Sequence, residues 1–258
     1  MPGIPEVQRG QVLDAVPGID CATLPTDPLT SVRRHRSTTT NEKRHIMPVP
    51  EPLTPENTTI VLIDHAVGFA NLLRSHDLGT HINNVVGLAK TATLFETGLV
   101  VTNGESDKPS GPLYPELLAV IGDDFPVIER PGATNAFADA SFAAAVEATG
   151  RRKLAIAGVS TEGCVLQSVL GAMRLGYEVY VIADASGSLT KETHDIAIQR
   201  MVQAGAVPTT WYSLAGELEY DHTSARGPLL QQVMREHQPT MAKGVQAYAF
   251  TKSLMQRS

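Results

Sequence analysis

The segment that most restricts the fold is Thr58-Thr-Ile-Val-Leu-Ile63, a β-branched apolar run that stops at Asp64. A strand without polar alternation is buried on both faces, the condition of a parallel sheet covered by helices. Further extended runs occur at Leu99 to Thr102, Val127 to Glu129, Leu154 to Val159, Glu178 to Ala183 and Val207 to Trp211. Helical patterns separate them. Ile82 to Leu94 has helical spacing, with Gly98 as its expected cap. Pro115 to Ile121 carries proline in its first turn, and Asp139 precedes an Ala-rich helix, Ala140 to Thr149. Cys164 to Leu175, Lys191 to Ala204 and Leu214 to Tyr220 complete the set. Strands alternating with helices pair in parallel through right-handed crossovers. The expected fold is therefore α/β, a three-layer α/β/α sandwich with a parallel sheet and Rossmann-like topology.

The flanks differ. Residues 1–55 are rich in proline and hold the basic cluster Arg33, Arg34, His35, Arg36 without a sustained period, so a disordered extension is expected there. Met47, just before the folded pattern, is a candidate for the true start. The domain is expected over residues 56–221. Residues 222–258 read as a tail with helical character at Leu229, Leu230, Val233 and Met234, suited to docking on a neighbouring subunit in a homo-oligomer.

Charge and cysteine content narrow the function. Lys and Arg total 21 against 27 Asp and Glu, a net charge of −6 that gives no general attraction for nucleic acid or an anionic membrane. No apolar run approaches the ~18 residues of a membrane helix. Two cysteines exclude a disulfide scaffold and a Cys-rich zinc module. A reduced, cytoplasmic protein acting on a small molecule is the expectation.

In an open parallel sheet, ligands bind beyond the carboxyl ends of the strands. That rule brings forward Asp64 with His65, Asn103 with Glu105, Arg130, the turn Ser160 to Cys164, and Asp184. In Ala155-Ile-Ala-Gly-Val-Ser-Thr-Glu-Gly-Cys164-Val a buried strand gives way to a tight turn and a cysteine opens a helix. A thiol there is expected to have a lowered pKa, with neighbouring N–H groups able to hold an oxyanion. A lone cysteine can equally be a small buried hydrophobe. Asp64 can take a thiol proton or cap a turn. Arg130 can supply fixed positive charge or lie on an exposed loop, and Asp184 is expected to hold a loop. His65, His76 and His81 could in principle ligate a metal, but their positions fit ordinary loop and helix-start histidines as well. The chain has no G-x-G-x-x-G, no G-x-S-x-G and no H-E-x-x-H.

Taken together, the chain resembles the isochorismatase-like cysteine hydrolase superfamily, most closely its YcaC-type branch. The resemblance spans about residues 56–221. It rests on Val61-Leu-Ile-Asp64-His65, Gly111-Pro-Leu113 with Pro115-Glu-Leu117, Arg130-Pro-Gly132 with Asn135-Ala-Phe137, Ile156-Ala-Gly-Val-Ser-Thr-Glu-Gly-Cys164-Val, and Asp184-Ala-Ser-Gly187. It implies a catalytic set of Asp64, Arg130 and Cys164, and a cis peptide between Val159 and Ser160. It further implies an oxyanion hole from the N–H groups of Ser160 and Cys164. Phe69, Asn103, Asn135 and Phe137 are candidates for the substrate wall. Neither a cofactor nor a metal is implied. Most of the superfamily has lysine where Arg130 stands, and Ala66 replaces a common glutamine. Asn103-Gly-Glu-Ser-Asp-Lys lacks the histidines of metal-dependent nicotinamidases. The implied activity is hydrolysis of a small amide or carbamoyl C–N bond through a thioester on Cys164. A non-catalytic oligomeric binding protein on the same fold is the alternative.

Overall fold

The structure is a computed structural model that describes residues 51–256. Most of the extension expected over residues 1–55, including the basic cluster and Met47, lies outside the described residues. Six strands form one sheet: β1 (Thr58–Ile63), β2 (Gly98–Asn103), β3 (Val127–Glu129), β4 (Lys153–Gly158), β5 (Glu178–Ile182) and β6 (Val207–Thr209). Their spatial order is β3-β2-β1-β4-β5-β6, and every pairing is parallel. The chain winds outward from β1 to β3, then returns to place β4 on the other side of β1. The topological switch point therefore lies between β1 and β4, and in open parallel sheets ligands bind beyond the strand ends at such a point.

Side-chain alternation along the central strands divides the core in two. Ile60 and Leu62 face one apolar cluster, built with α2 (Leu78–Phe95), α3 (Pro115–Ile121), α7 (Trp211–Glu219) and α8 (Gly227–His237). Val61 and Ile63 face the other, built with α4 (Ala140–Ala148), α5 (Leu166–Arg174) and α6 (Lys191–Gln203). Burial on both faces explains the apolar run Ile60–Ile63, preceded by two buried threonines, and the three layers follow. A short helix, α1 (Val67–Ala70), follows Asp64. At the other end, α9 (Pro239–Met255) buries none of its residues, and no described helix is long and apolar enough to cross a membrane.

Two of the boundaries that depart from the sequence expectation bear on the packing. Glu96, in the left-handed region at φ 56°, caps α2, while Gly98 is the first residue of β2. A Cβ on Gly98 would come within 2.5 Å of Thr59 Oγ1, so close strand approach rather than helix capping requires the glycine. Helix α7 begins three residues before the expected Leu214. Thr210 caps it, Trp211 N–H donates to Asp184 Oδ1 (2.9 Å) and the indole donates to Asn84 Oδ1 (3.0 Å). Asp184 thus holds a loop to a helix start.

Beneath the carboxyl edge four imidazoles gather. His81 stands 5.8 Å from His65 and 6.4 Å from His76 between ring centroids, and His76 meets His194 edge-on at 4.9 Å. His65 donates through Nε2 to Ala185 O, whereas neither ring nitrogen of His81 has a hydrogen-bond partner among the described residues. No set of three or more His, Cys, Asp or Glu among the described residues is disposed to hold a metal ion. Burial pushes His65 down to about 4 and His81 to about 2. Such groups bind protons more weakly folded than unfolded, so their stability is present above pH 6.5 and is lost as pH falls through the folded values. At pH 5 each of these two should cost on the order of 2 kcal/mol. Burial raises Asp184 to about 6, which works in the opposite sense. The test is therefore a difference. His81→Leu should lose less urea stability than the parent chain between pH 7 and pH 5, and equal losses would refute the role of His81.

Candidate active site

Asp64 ends β1 with its backbone in the left-handed region, at φ 55°. Among non-glycine residues, aspartate and asparagine tolerate that conformation best. Asp64 N–H still donates to Thr102 O (3.0 Å), extending the β1–β2 ladder by one residue. The neighbouring ladder is extended likewise, since Arg130 N–H donates to Asn103 O (3.0 Å). Three strand ends therefore advance together and carry their side chains to one edge.

Arg130 is buried, only 3% exposed, and all three of its nitrogens are engaged. Nη2 pairs with Asp64 Oδ2, Nη1 donates to Ala133 O, and Nε donates to Thr102 Oγ1 (3.1 Å). Thr102 passes its own hydroxyl proton to Ile128 O (2.7 Å), which leaves its lone pairs facing the guanidinium. The turn that follows uses Gly132 at φ +66°, where a side chain would be strained. Sequence reading missed Thr102. The available signal was a hydroxyl directly after the apolar run Leu99, Val100, Val101.

Cys164 arrives from the far side of the switch point. The Val159–Ser160 peptide is cis. Beyond it, Thr161–Val165 form a single π-helical turn that leads into α5. Thr161 anchors the turn through N–H and hydroxyl bonds to Gly187 O (2.8 and 3.0 Å) and meets His194 Nδ1 at 2.9 Å. Gly163 is needed because a Cβ there would lie 2.8 Å from Ser160 Oγ. Cys164 is thus the fourth residue of the turn, not the residue that opens the helix, and its thiol is free and half-buried. The N–H of Ser160 finds no acceptor among the described residues.

The electrostatics correct one expectation. The thiol is not held ionised. Burial, followed by the charge and hydrogen-bonding of Asp64, pushes Cys164 up to about 12, against the pull of Arg130. Burial also raises Asp64 above the usual aspartate range, opposed by Arg130 and Cys164. In these surroundings the thiol holds its proton more tightly than a free cysteine does. Asp64 Oδ2 is spent on Arg130, while Oδ1 is buried without a well-formed hydrogen bond.

The remaining candidates divide. Asn103, at the end of β2, is buried. Its Nδ2 donates to Gly111 O (3.0 Å), and its Oδ1 has no partner. Phe69 is half-buried on α1, in the segment that follows Asp64. Asn135 caps a short 3-10 turn by accepting from Phe137 N–H (3.1 Å) and packs closely against Gly171 of α5. Phe137 meets Phe142 edge-on at 5.0 Å. These last two side chains are engaged in holding α4 and α5 together.

With this geometry established, similarity to known proteins places the chain. The Isochorismatase domain model matches residues 58–213. The "Probable hydrolase YcaC" of Escherichia coli K12 is 40% identical over 169 residues, covering 66% of this chain and 81% of that protein. The crystal structure of the E. coli YcaC gene product, described as an octameric hydrolase of unknown specificity, superposes with a TM-score of 0.75 at 36% identity, over 79% of this chain and 99% of that one. YcaC from Pseudomonas aeruginosa, solved with hexane-2,5-diol and covalent acrylamide, gives a TM-score of 0.74 at 34% identity, over 78% and 98%. An all-parallel sheet, a site at its switch point and a match spanning most of the described domain lead to one conclusion: the chain belongs to the isochorismatase family.

Proposed function

We propose that this protein is a cysteine hydrolase that cleaves a small amide or carbamoyl C–N bond through a thioester on Cys164. The observation that carries the reading is the meeting of Asp64, Arg130 and Cys164, three residues distant in sequence, at the crevice between β1 and β4. The covalent acrylamide on the Pseudomonas relative supports a reactive site open to small amides.

Asp64 takes the Cys164 proton as sulfur attacks the carbonyl carbon, so that charge develops only in the transition state. The carbonyl π electrons move to oxygen, which the Ser160 and Cys164 N–H groups stabilise. Loss of such donors typically costs ~2.7–4 kcal/mol of barrier. The tetrahedral intermediate collapses, breaking the C–N bond, and the amine leaves with the proton held by Asp64. Water then gives a proton to Asp64 and attacks the thioester. The C–S bond then breaks, the acid product leaves, and the Cys164 thiolate recovers its proton from Asp64. Arg130 cannot exchange a proton at neutral pH and acts by charge and by fixing the carboxylate.

Intact-mass spectrometry of the full chain with a panel of small amides, acrylamide included, tests this. An adduct should form on Cys164 and be absent from Cys164→Ala. Asp64→Asn should slow its formation by roughly 10²–10⁴-fold, the usual worth of a general base. Adduct formation at the parent rate in Asp64→Asn would remove the proposed base.

We also propose a homo-oligomer in which α9 lies against a neighbouring copy. Helix α9 leaves Met241, Val245, Tyr248, Phe250 and Leu254 exposed, an apolar surface that single soluble chains seldom display. Stopping the chain before Pro239 should lower the particle mass in light scattering. An unchanged mass would refute the assignment.

A further inference from the structure

The chain between Asp64 and α2 runs as a strap fastened at two places. Its first half is held to the loop carrying Gly111, through Val67 N–H to Pro112 O (2.9 Å) and Gly68 N–H to Ser110 O (2.8 Å). Its second half, residues 71–77, is held to a different loop. The N–H groups of Arg74 and Ser75 both donate to Ser188 O (3.0 and 3.2 Å), and Ser188 N–H donates back to Ser75 Oγ (2.9 Å). Leu73 is buried against Gly187, where a Cβ would fall 2.8 Å from its Cδ2. The same loop supports the turn that carries Cys164. Gly187 O accepts from Thr161 N–H (2.8 Å), and the Ser188 hydroxyl donates to Glu162. Gly187 and Ser188 therefore join the strap to the cysteine turn.

Imidazoles occupy this joint. His76 lies on the fastened half of the strap, and its ring meets that of His194, from α6, edge-on at 4.9 Å. The Thr161 hydroxyl gives its proton to Gly187 O and so accepts from His194 Nδ1–H (2.9 Å). His81, in the first turn of α2, stands 6.4 Å from His76 and 5.8 Å from His65 between ring centroids. Tyr114 packs edge-on against both His65 and His81 and is neutral. The charged groups acting on the His76–His194 pair are Lys191, Asp195 and Glu162. The carboxylates are already engaged: Asp195 pairs with Lys191 (2.6 Å) and Glu162 accepts from Ser188. Asp77, next to His76, is committed to the N–H and hydroxyl of Thr80. A proton added to one imidazole raises the cost of a proton on the next.

We propose that this cluster is an acid-sensitive latch: with neutral imidazoles it holds residues 71–77 against Gly187 and Ser188, and on protonation it releases them and loosens the Cys164 turn. The direction follows from burial. It holds His81 down at about 2 and His194 at about 4, and it lowers His76 as well. An imidazole released into water titrates near its ordinary value of about 6.5. The closed strap is therefore fully favoured above pH 6.5 and weakens as pH falls towards the folded values. At pH 5.5 each imidazole freed favours the open form by up to about tenfold.

Hydrogen exchange of the full chain tests the latch, read by mass spectrometry at pH 7.5 and pH 5.5 and normalised to the unstructured rate at each pH. Protection over residues 73–76 and 160–162 should fall together by about ten- to a hundredfold in acid, while β1 and β4 keep theirs. His76→Gln, at a half-buried position, should remove up to about tenfold of that fall. Adding His194→Gln should remove most of the remainder. Equal protection at both pH values in the parent chain, a fall that spares residues 160–162, or an undiminished fall in His76→Gln would each overturn the proposal. A fall shared by β1 and β4 would mark general acid unfolding and overturn it as well.

Discussion

The buried pair of Asp64 and Arg130 is the contact on which the site depends. Arg130 is nearly sealed from water, and a guanidinium in that position is tolerable only because a carboxylate, a hydroxyl and a carbonyl satisfy it together. Removing either partner would strand a buried charge. The pair also ties β1 to the turn after β3, across β2. Two strand ends and the loop beyond them are thereby held in one arrangement, and the third strand end, β4, delivers Cys164 to it.

That pairing determines how the sulfur is used. A thiolate formed in advance would need net positive surroundings, but here the nearest positive charge is already neutralised by Asp64. Burial and Asp64 together keep the proton on Cys164. Under the proposed hydrolysis, Asp64 would take that proton as the bond to substrate forms.

Much of the fold was legible in the chain. Six extended runs, the helices between them and the parallel pairing follow from β1 being β-branched or apolar at every position and from turn residues at the expected intervals. Asp64, Arg130 and Cys164 could be nominated because ligand sites in such sheets gather at strand ends, and because five short motifs resembled one superfamily. One reading, the helix cap at Gly98, failed for a local reason. Gly98 follows a helix and so resembles a cap, but the packing of Thr59 beside it is a contact with a distant strand. Asn135 and Phe137 sit in the motif around Arg130, yet their side chains point into the packing of α4 and α5. Thr102 was overlooked because one hydroxyl in a strand has no periodic signature.

By itself the amino-acid order determined the alternation of strands and helices, because hydrophobic period and turn chemistry act over a few residues. It also placed the strand ends to within two residues. Only the tertiary structure decided which of those residues meet, that Arg130 pairs with Asp64, and that the Cys164 pKa is raised. Burial and charge at a point in space are sums over groups contributed by distant parts of the chain. No local pattern around Cys164 contains the aspartate that sets its acidity.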